Sequence, residues 1–308
     1  MGYALRKGVS VIVPVYNGQK YLEEFLNSLF QQIYRPIEVI IGDDASRDKS
    51  VDICQKWKDS ISDDDFTVVI TENKVNRGLT KNIAGLIKLS TCEYIAFADQ
   101  DDVWKADKLR IQVDYMEEHT KCNVCLCDRS LTDENLKIKI QSEQQSKNYK
   151  KRSLLFDEVV LHSGCYAANT MLIRAGISGI LDIPQDVICY DYYMAIMASV
   201  TGTVDYINRQ LVLYRIHGNN LSCNYKAETS NSFLQLFIRR YKSHVIGRDS
   251  DNRDGEIISR ELKERYGIDI NDFKNVVNKD RAMKNVIITT FFECVDDLKN
   301  GRIGLWYK

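Results

Sequence analysis

Up to about residue 130 the chain alternates short apolar, β-branched runs with amphipathic helical stretches, and that alternation leaves few folds open. Residues 9–15 read as a strand. Residues 20–32 place Tyr21, Leu22, Phe25, Leu26, Leu29 and Phe30 on one helical face. Residues 37–41 form a second strand ending in Gly42-Asp43-Asp44, 48–57 a helix and 66–70 a third strand. Thr80 is placed to cap a helix carrying Ile83, Ala84, Leu86, Ile87 and Leu89. Residues 94–98 make a fourth strand, and 107–119 the helix after it. Strands and helices in this order predict an α/β protein built on a parallel sheet with right-handed crossovers.

With 308 residues the chain accommodates one large domain with an appendage, or two modest domains. Between residues 131 and 152 Gln, Lys, Ser and Asn replace large apolar side chains, which reads as a mobile excursion: a lid over the site or plain surface loop. Regular structure resumes at 166–173, with a helix near 191–200 and strands near 203–207 and 211–216. After residue 225 the pattern is helical to the end, and no internal repeat is found. A net charge of −1 gives no support to a general nucleic-acid role. Among the nine cysteines, Cys122, Cys125 and Cys127 lack a second Cys or His pair at zinc spacing and alternate as strand residues do, so buried reduced thiols are expected. Residues 1–7 do not read as a leader, and no apolar stretch approaches the roughly 20 residues that span a bilayer. A cytoplasmic protein is expected.

Asp99-Gln100-Asp101-Asp102 directly follows the apolar run 94–98. Open α/β sheets bind ligands at the carboxyl ends of their strands, so three carboxylates in four residues meet where such a fold does chemistry. Hard oxygen donors suit Mg²⁺ or Mn²⁺, which bind one or two carboxylates and take further ligands from phosphate. The alternative is a solvated acidic turn capping the next helix. After the first strand, Pro14-Val15-Tyr16-Asn17-Gly18 is either a structural turn or a loop wrapping a flat base with Tyr16 stacked on it. Asp43 and Asp44 close the second strand at the same edge, where a carboxylate accepts hydrogen bonds from a base N–H or a ribose hydroxyl. Arg77 in Asn76-Arg77-Gly78 either meets phosphate or offsets the acidic cluster.

Taken in order, residues 9–17, Gly42-Asp43-Asp44-Ala45-Ser46, Asn76-Arg77-Gly78 with Asn82, and Ala98-Asp99-Gln100-Asp101-Asp102-Val103-Trp104 resemble glycosyltransferase family 2 over about residues 8–222. Asp-Gln-Asp-Asp-Val-Trp and Tyr214-Arg215-Ile216-His217-Gly218-Asn219-Asn220 are similar to segments of its bacterial rhamnosyltransferase-like members. The resemblance implies the GT-A fold, a Rossmann-like, mostly parallel sheet flanked by helices, here with a helical C-terminal extension. It divides the chain into a catalytic domain at 1–225, with a nucleotide-binding half at 8–130 and an acceptor half at 150–225, and an extension at 226–308. It implies a nucleotide-sugar donor held by Pro14, Val15, Tyr16, Asn17, Asp44, Arg77, Asp99 and Gln100. A divalent ion, Mg²⁺ or Mn²⁺, would be held through Asp101 and bridge the donor diphosphate.

Asp191 in Tyr190-Asp191-Tyr192-Tyr193 looks like the family's catalytic base, with Tyr190 where Glu is frequent; otherwise it is a helix-capping residue. Arg215 and His217 are candidates to meet the diphosphate or the metal, His217 being alternatively a turn residue. One base and one displacement imply inversion at the anomeric carbon. The implied acceptor is an oligosaccharide hydroxyl, lipid-linked, in a bacterial cell-surface polysaccharide such as O-antigen or capsule, with dTDP-rhamnose or a UDP-hexose as donor. A sugar nucleotidyltransferase is the first rival, but the chain has one Gly after the first strand and no Arg from there to Tyr34. An inactive nucleotide-sugar binding protein is the second. Residues 234–246 carry Arg239, Arg240 and Lys242 among apolar residues, with no acid between Thr229 and Arg248. This is either a packed helix or a basic amphipathic helix making a peripheral contact with the inner face of the plasma membrane.

Overall fold

The computed structural model describes residues 6–146, 153–161, 166–187, 189–218, 220 and 249–269. The chain divides into two units, Met1–Ile216 and His217–Lys308. In the first unit β1 (Arg6–Val15), β2 (Ile37–Asp43), β3 (Phe66–Glu72) and β4 (Cys92–Phe97) run parallel in the order β3-β2-β1-β4. Val9, Val11, Ile12, Val13 and Val15 are all buried, as are all seven residues of β2, so these strands are covered on both faces. Continuous apolar runs are the sequence form of such strands. β3 alternates buried with exposed positions because it is the edge. Between them lie α1 (Leu22–Phe30), α2 (Ser50–Ser60) and α3 (Leu79–Leu86), and α1 turns Leu22, Phe25, Leu26 and Leu29 to the core. α3 is capped by Gly78 at φ 83°, not by Thr80.

Beyond β4 the sheet becomes mixed. β9 (Met171–Arg174) inserts antiparallel between β4 and β6 (Cys122–Thr132), and β6 pairs in parallel with β10 (Thr203–Arg215). Short β5 (Val103–Trp104) and β8 (Ser153–Leu154) add antiparallel to β10, and β7 (Ile138–Ile140) to β6. The two strands expected at 203–207 and 211–216 are one strand, bent by register shifts around Tyr206 to Val212. The excursion expected from residue 131 is in part ordered: β6 continues to Thr132, β7 folds back on it, and α5 (Glu143–Ser146) follows. Its polar groups bond inward: the Ser142 hydroxyl and the Gln144 N–H donate to the buried Asp128, and Glu143 pairs with Arg129. Residues 147–152 lie outside the described residues.

α4 (Lys108–Glu118) is fastened to the sheet by Gln112, whose amide donates to the Cys125 and Thr170 carbonyls at 2.8 and 2.9 Å. α6 (Phe156–Leu161) and α7 (Tyr190–Ser199) complete the first unit. Cys54, Cys92, Cys122, Cys125 and Cys127 are buried free thiols. Burial pushes the thiols of Cys54, Cys122, Cys125 and Cys127 up, so they pack as small apolar groups. In the second unit α8 (Asp249–Tyr266) is described, whereas the amphipathic stretch 234–246 lies outside the described residues. Among the described residues no helix is long and apolar enough to cross a membrane.

Candidate active site

Parallel register brings the carboxyl ends of β1, β2 and β4 to one edge: Val15 lies opposite Asp43, and Ile12 opposite Phe97. Three loops leave that edge and are bound to one another. Asn17 adopts φ 50° and accepts from the Arg47 N–H through its side-chain oxygen at 2.8 Å. Its own N–H donates to Ser46 Oγ at 2.9 Å, and the Gly18 N–H donates to Ser50 Oγ at 2.8 Å. Asn is among the few non-glycine residues that adopt positive φ readily, and here it turns the chain while its amide fixes the neighbouring loop. Tyr16 stands on this turn with its side chain 44% exposed, presented to solvent as a flat face.

Asp44 is buried and faces the loop that joins β3 to α3. Its carboxylate accepts from Asn73 Nδ2, the Arg77 N–H and the Gly78 N–H at 2.8–2.9 Å. These bonds fix the start of α3 and hold the backbone of the Asn76-Arg77-Gly78 segment, with Arg77 exposed at the rim. Asn82 adds a bond to the Gly42 carbonyl at 2.8 Å.

Asp99 follows β4 and is half-buried beside Asp101. Burial, then repulsion from Asp101 and from Asp191, pushes the Asp99 carboxyl up to about 7, against the opposing pull of Arg129. Asp191, from the far half of the chain, therefore shares one electrostatic environment with the acidic loop. α7 brings it there. The helix packs on β6 and β10, the Ala198 carbonyl accepts from Asn123 Nδ2 at 2.8 Å, and Tyr190 lies against Phe97 at the end of β4, ring centroids 5.8 Å apart. Asp191 sits in the first turn of α7, and Cys189, not Asp191, occupies the N-cap. Burial, then the charges of Asp99 and Asp191, raise the Tyr190 phenol.

Asp102 is fully buried. It accepts from Asn169 Nδ2 at 2.6 Å and from the Arg215 N–H at 3.1 Å. Asn169 in turn accepts from Arg129, whose guanidinium pairs with Glu143 at 2.5 and 3.2 Å and stacks over Tyr214. Burial works against the charge of Arg129; Glu143, followed by Tyr214 and Asp102, outweighs it. Arg215, 2% exposed, donates through Nε to the Asp101 carbonyl at 2.8 Å, through one terminal nitrogen to the Glu134 carbonyl, and through the other to Glu24 at 2.5 Å. The side chain read from the sequence as a diphosphate contact thus clasps the acidic loop from behind. His217 opens a turn in which its N–H donates to Asn220 Oδ1 at 2.6 Å. Sequence reasoning missed Arg129, Asn169 and Glu143, which meet only through long-range pairing; an Asp128-Arg129 pair directly after the apolar run 124–127 was the available signal.

The donor set fits a divalent cation in a particular way. Asp99 and Asp101 crowd like charges that a cation relieves, yet among the described residues no three His, Cys, Asp or Glu side chains gather as ligands. That matches an ion taking one or two carboxylates from protein and the remaining oxygens from a phosphate.

Residues 10–175 match the model of Glycosyl transferase family 2. The chain is 28% identical over 270 residues to the dTDP-rhamnosyl transferase RfbG of Shigella flexneri, covering 82% of this chain and 89% of that one. It is 34% identical over 109 residues to the UDP-Glc:alpha-D-GlcNAc-diphosphoundecaprenol beta-1,3-glucosyltransferase WfaP of Escherichia coli, covering 35% and 41%. The solved mannosyltransferase PcManGT from Pyrobaculum calidifontis, in complex with GDP-Man and Mn²⁺, superposes with a TM-score of 0.57 at 16% identity, covering 96% of this chain and 74% of that one. The fold is GT-A, and the chain belongs to glycosyl transferase family 2: it is a glycosyltransferase.

Proposed function

We propose that this enzyme moves a sugar, with inversion, from a nucleotide-sugar donor to a hydroxyl of a growing bacterial cell-surface polysaccharide. The observation that carries this reading is that α7, with Asp191 in its first turn, is seated against Phe97 at the end of β4 through Tyr190, where the charges of both Asp191 and Asp101 act on Asp99. Donor-side and acceptor-side carboxylates there share one site. Tyr16 stacks on the base, Pro14, Val15 and Asn17 shape the loop that wraps it, and Asp44 holds the segment that carries Arg77 toward the phosphates. Asp99 accepts from the ribose. Asp101 would hold Mg²⁺ or Mn²⁺, which when bound offsets charge on the departing diphosphate. Asp191 takes the proton of the acceptor hydroxyl as it attacks the anomeric carbon from the face opposite the leaving group. No covalent sugar–enzyme intermediate is needed, because one displacement completes the transfer. For His217 we propose a contact with the diphosphate.

The named relatives support the donor and acceptor classes: one is a dTDP-rhamnosyl transferase, another acts on a diphosphoundecaprenol-linked sugar. We therefore place dTDP-rhamnose first among donors, UDP-hexoses second, and a lipid-linked oligosaccharide as acceptor. The enzyme would work at the cytoplasmic face of the membrane, in O-antigen or capsule assembly. Incubating purified protein and Mn²⁺ with dTDP-rhamnose, UDP-galactose, UDP-glucose and UDP-GlcNAc, and measuring release of the nucleoside diphosphate, tests the reading. One donor turning over well above the others supports it. Release of pyrophosphate from a nucleoside triphosphate and sugar 1-phosphate, with no donor cleaved, overturns it.

A further inference from the structure

Gln100 does something in this fold that its neighbours in the acidic loop do not. Its Oε1 accepts from the Tyr16 N–H and its Nε2 donates to the Tyr16 carbonyl, both at 3.0 Å. Both backbone hydrogen-bonding groups of one peptide-chain residue are thus held by a single side-chain amide from a loop 84 positions away. An amide is the side-chain group that matches this pair, since it carries one acceptor and one donor side by side. Gly18 makes room for it: a Cβ there would collide with the Gln100 amide. On the other side the same turn is bonded to Ser46 and Ser50, which leaves the Tyr16 ring as its exposed part.

We propose that Gln100 is a positioning residue that acts through Tyr16: it locks the aromatic platform to the metal-binding loop instead of contacting the donor itself. The proposal rests on the reading of Tyr16 as the base-stacking residue. Its consequence is pre-organisation. A platform held on both sides does not have to be ordered when the nucleotide arrives, so the clasp contributes to donor affinity and leaves the chemical step alone. It also makes the identity of the residue strict. Glutamate at this position keeps the acceptor but sets a carboxylate against the Tyr16 carbonyl.

A double-mutant cycle decides the matter, with UDP and dTDP as probes in the presence of Mn²⁺, binding read by calorimetry and folding checked by thermal melting. Loss of two exposed hydrogen bonds predicts that Gln100→Ala and Gln100→Glu each weaken binding of the preferred nucleotide about tenfold. With the donor that turns over, KM should rise by the same factor and kcat hold. In a Tyr16→Ala background, where no ring remains to be positioned, Gln100→Ala should cost nothing more. Gly18→Ala displaces the amide without removing it, and should reproduce the Gln100→Ala loss with no further loss in combination. Equal losses from Gln100→Ala with and without the Tyr16 ring mean direct donor contact and overturn the clasp, as does unchanged binding by Gln100→Ala. If wild type binds neither nucleotide, or Tyr16→Ala binds as wild type does, the donor-site reading has failed first and takes the clasp with it.

Discussion

Asp101 and Asp102 are neighbours with opposite duties. Asp102 is fully buried, bonded to Asn169 and to the Arg215 backbone, and burial followed by repulsion from Asp99 and Asp101 holds its carboxyl well above the usual range. It anchors the loop. Asp101 lies half-buried at the edge, with its carbonyl held by Arg215 Nε, which leaves the side chain oriented by a fixed backbone. Asp101→Ala should therefore abolish the stimulation of transfer by Mn²⁺ while the protein stays folded. A metal titration of donor turnover checks it, and full Mn²⁺ stimulation in the variant would reject the assignment. Arg215→Lys should lose activity through the loop instead: a lysine supplies one nitrogen where three bonds are now made. Much of this was legible residue by residue. The acidic tetrad, the Tyr16-Asn17-Gly18 turn and Asp44 announce themselves by type and position after apolar runs. The partners of Arg215 and Asp102 do not, because Glu24, Glu134 and Asn169 are far away in sequence and ordinary in type.

At the scale of elements, two attachments hold the second half of the sheet. Arg129 of β6 pairs with Glu143 of α5, both side chains 15% exposed. Removing one partner of such a pair leaves the other charge poorly solvated, so Glu143→Gln should cost about 2–4 kcal/mol in chemical denaturation. The other attachment is α4, whose Lys108 is wholly buried, with Nζ 2.8 Å from Gln112 Oε1 and 3.9 Å from the Trp104 ring centre. Burial lowers its pKa from 10.5 to about 8. The unfolded chain therefore binds more protons between those two values, and stability contributed at this site rises as pH climbs through them. Relative to Lys108→Met, wild type should gain roughly 3 kcal/mol between pH 7 and pH 11, from denaturant melts of both proteins at each pH. A constant difference would show that Lys108 titrates in the folded protein as it does in the unfolded chain. The parallel half was readable because its strands are buried on both faces and its helices on one. β10 was not, since Asn208-Arg209-Gln210 resembles a turn; it remains strand because Gln210 bonds to Asp128 at 2.8 Å and the bulges absorb the irregularity. Residues 131–146 looked like loop because their stabilising contacts are polar and point inward, a pattern that hydrophobic periodicity cannot register.

At the scale of the whole molecule, the proposed site draws on both halves of the first unit's sheet. The parallel half supplies Tyr16, Asp44, Asp99 and Asp101, and the mixed half supplies Asp191 on α7. Residues 234–246 add a separate expectation from sequence alone. If they dock on anionic lipid, neutralising Arg239, Arg240 and Lys242 together should weaken vesicle sedimentation roughly 100-fold, since each basic residue near such a surface contributes on the order of 1 kcal/mol. Turnover on a short water-soluble acceptor should hardly change. Equal sedimentation by both proteins would remove the membrane contact from the account. The central claim is tested most directly by Asp191→Asn, assayed in parallel for nucleotide binding and for sugar transfer with the donor that wild type uses. The amide keeps the shape of the side chain but cannot accept a proton. Unchanged binding with transfer reduced about 10²- to 10⁴-fold is the expected result; near wild-type transfer by the folded variant would contradict it.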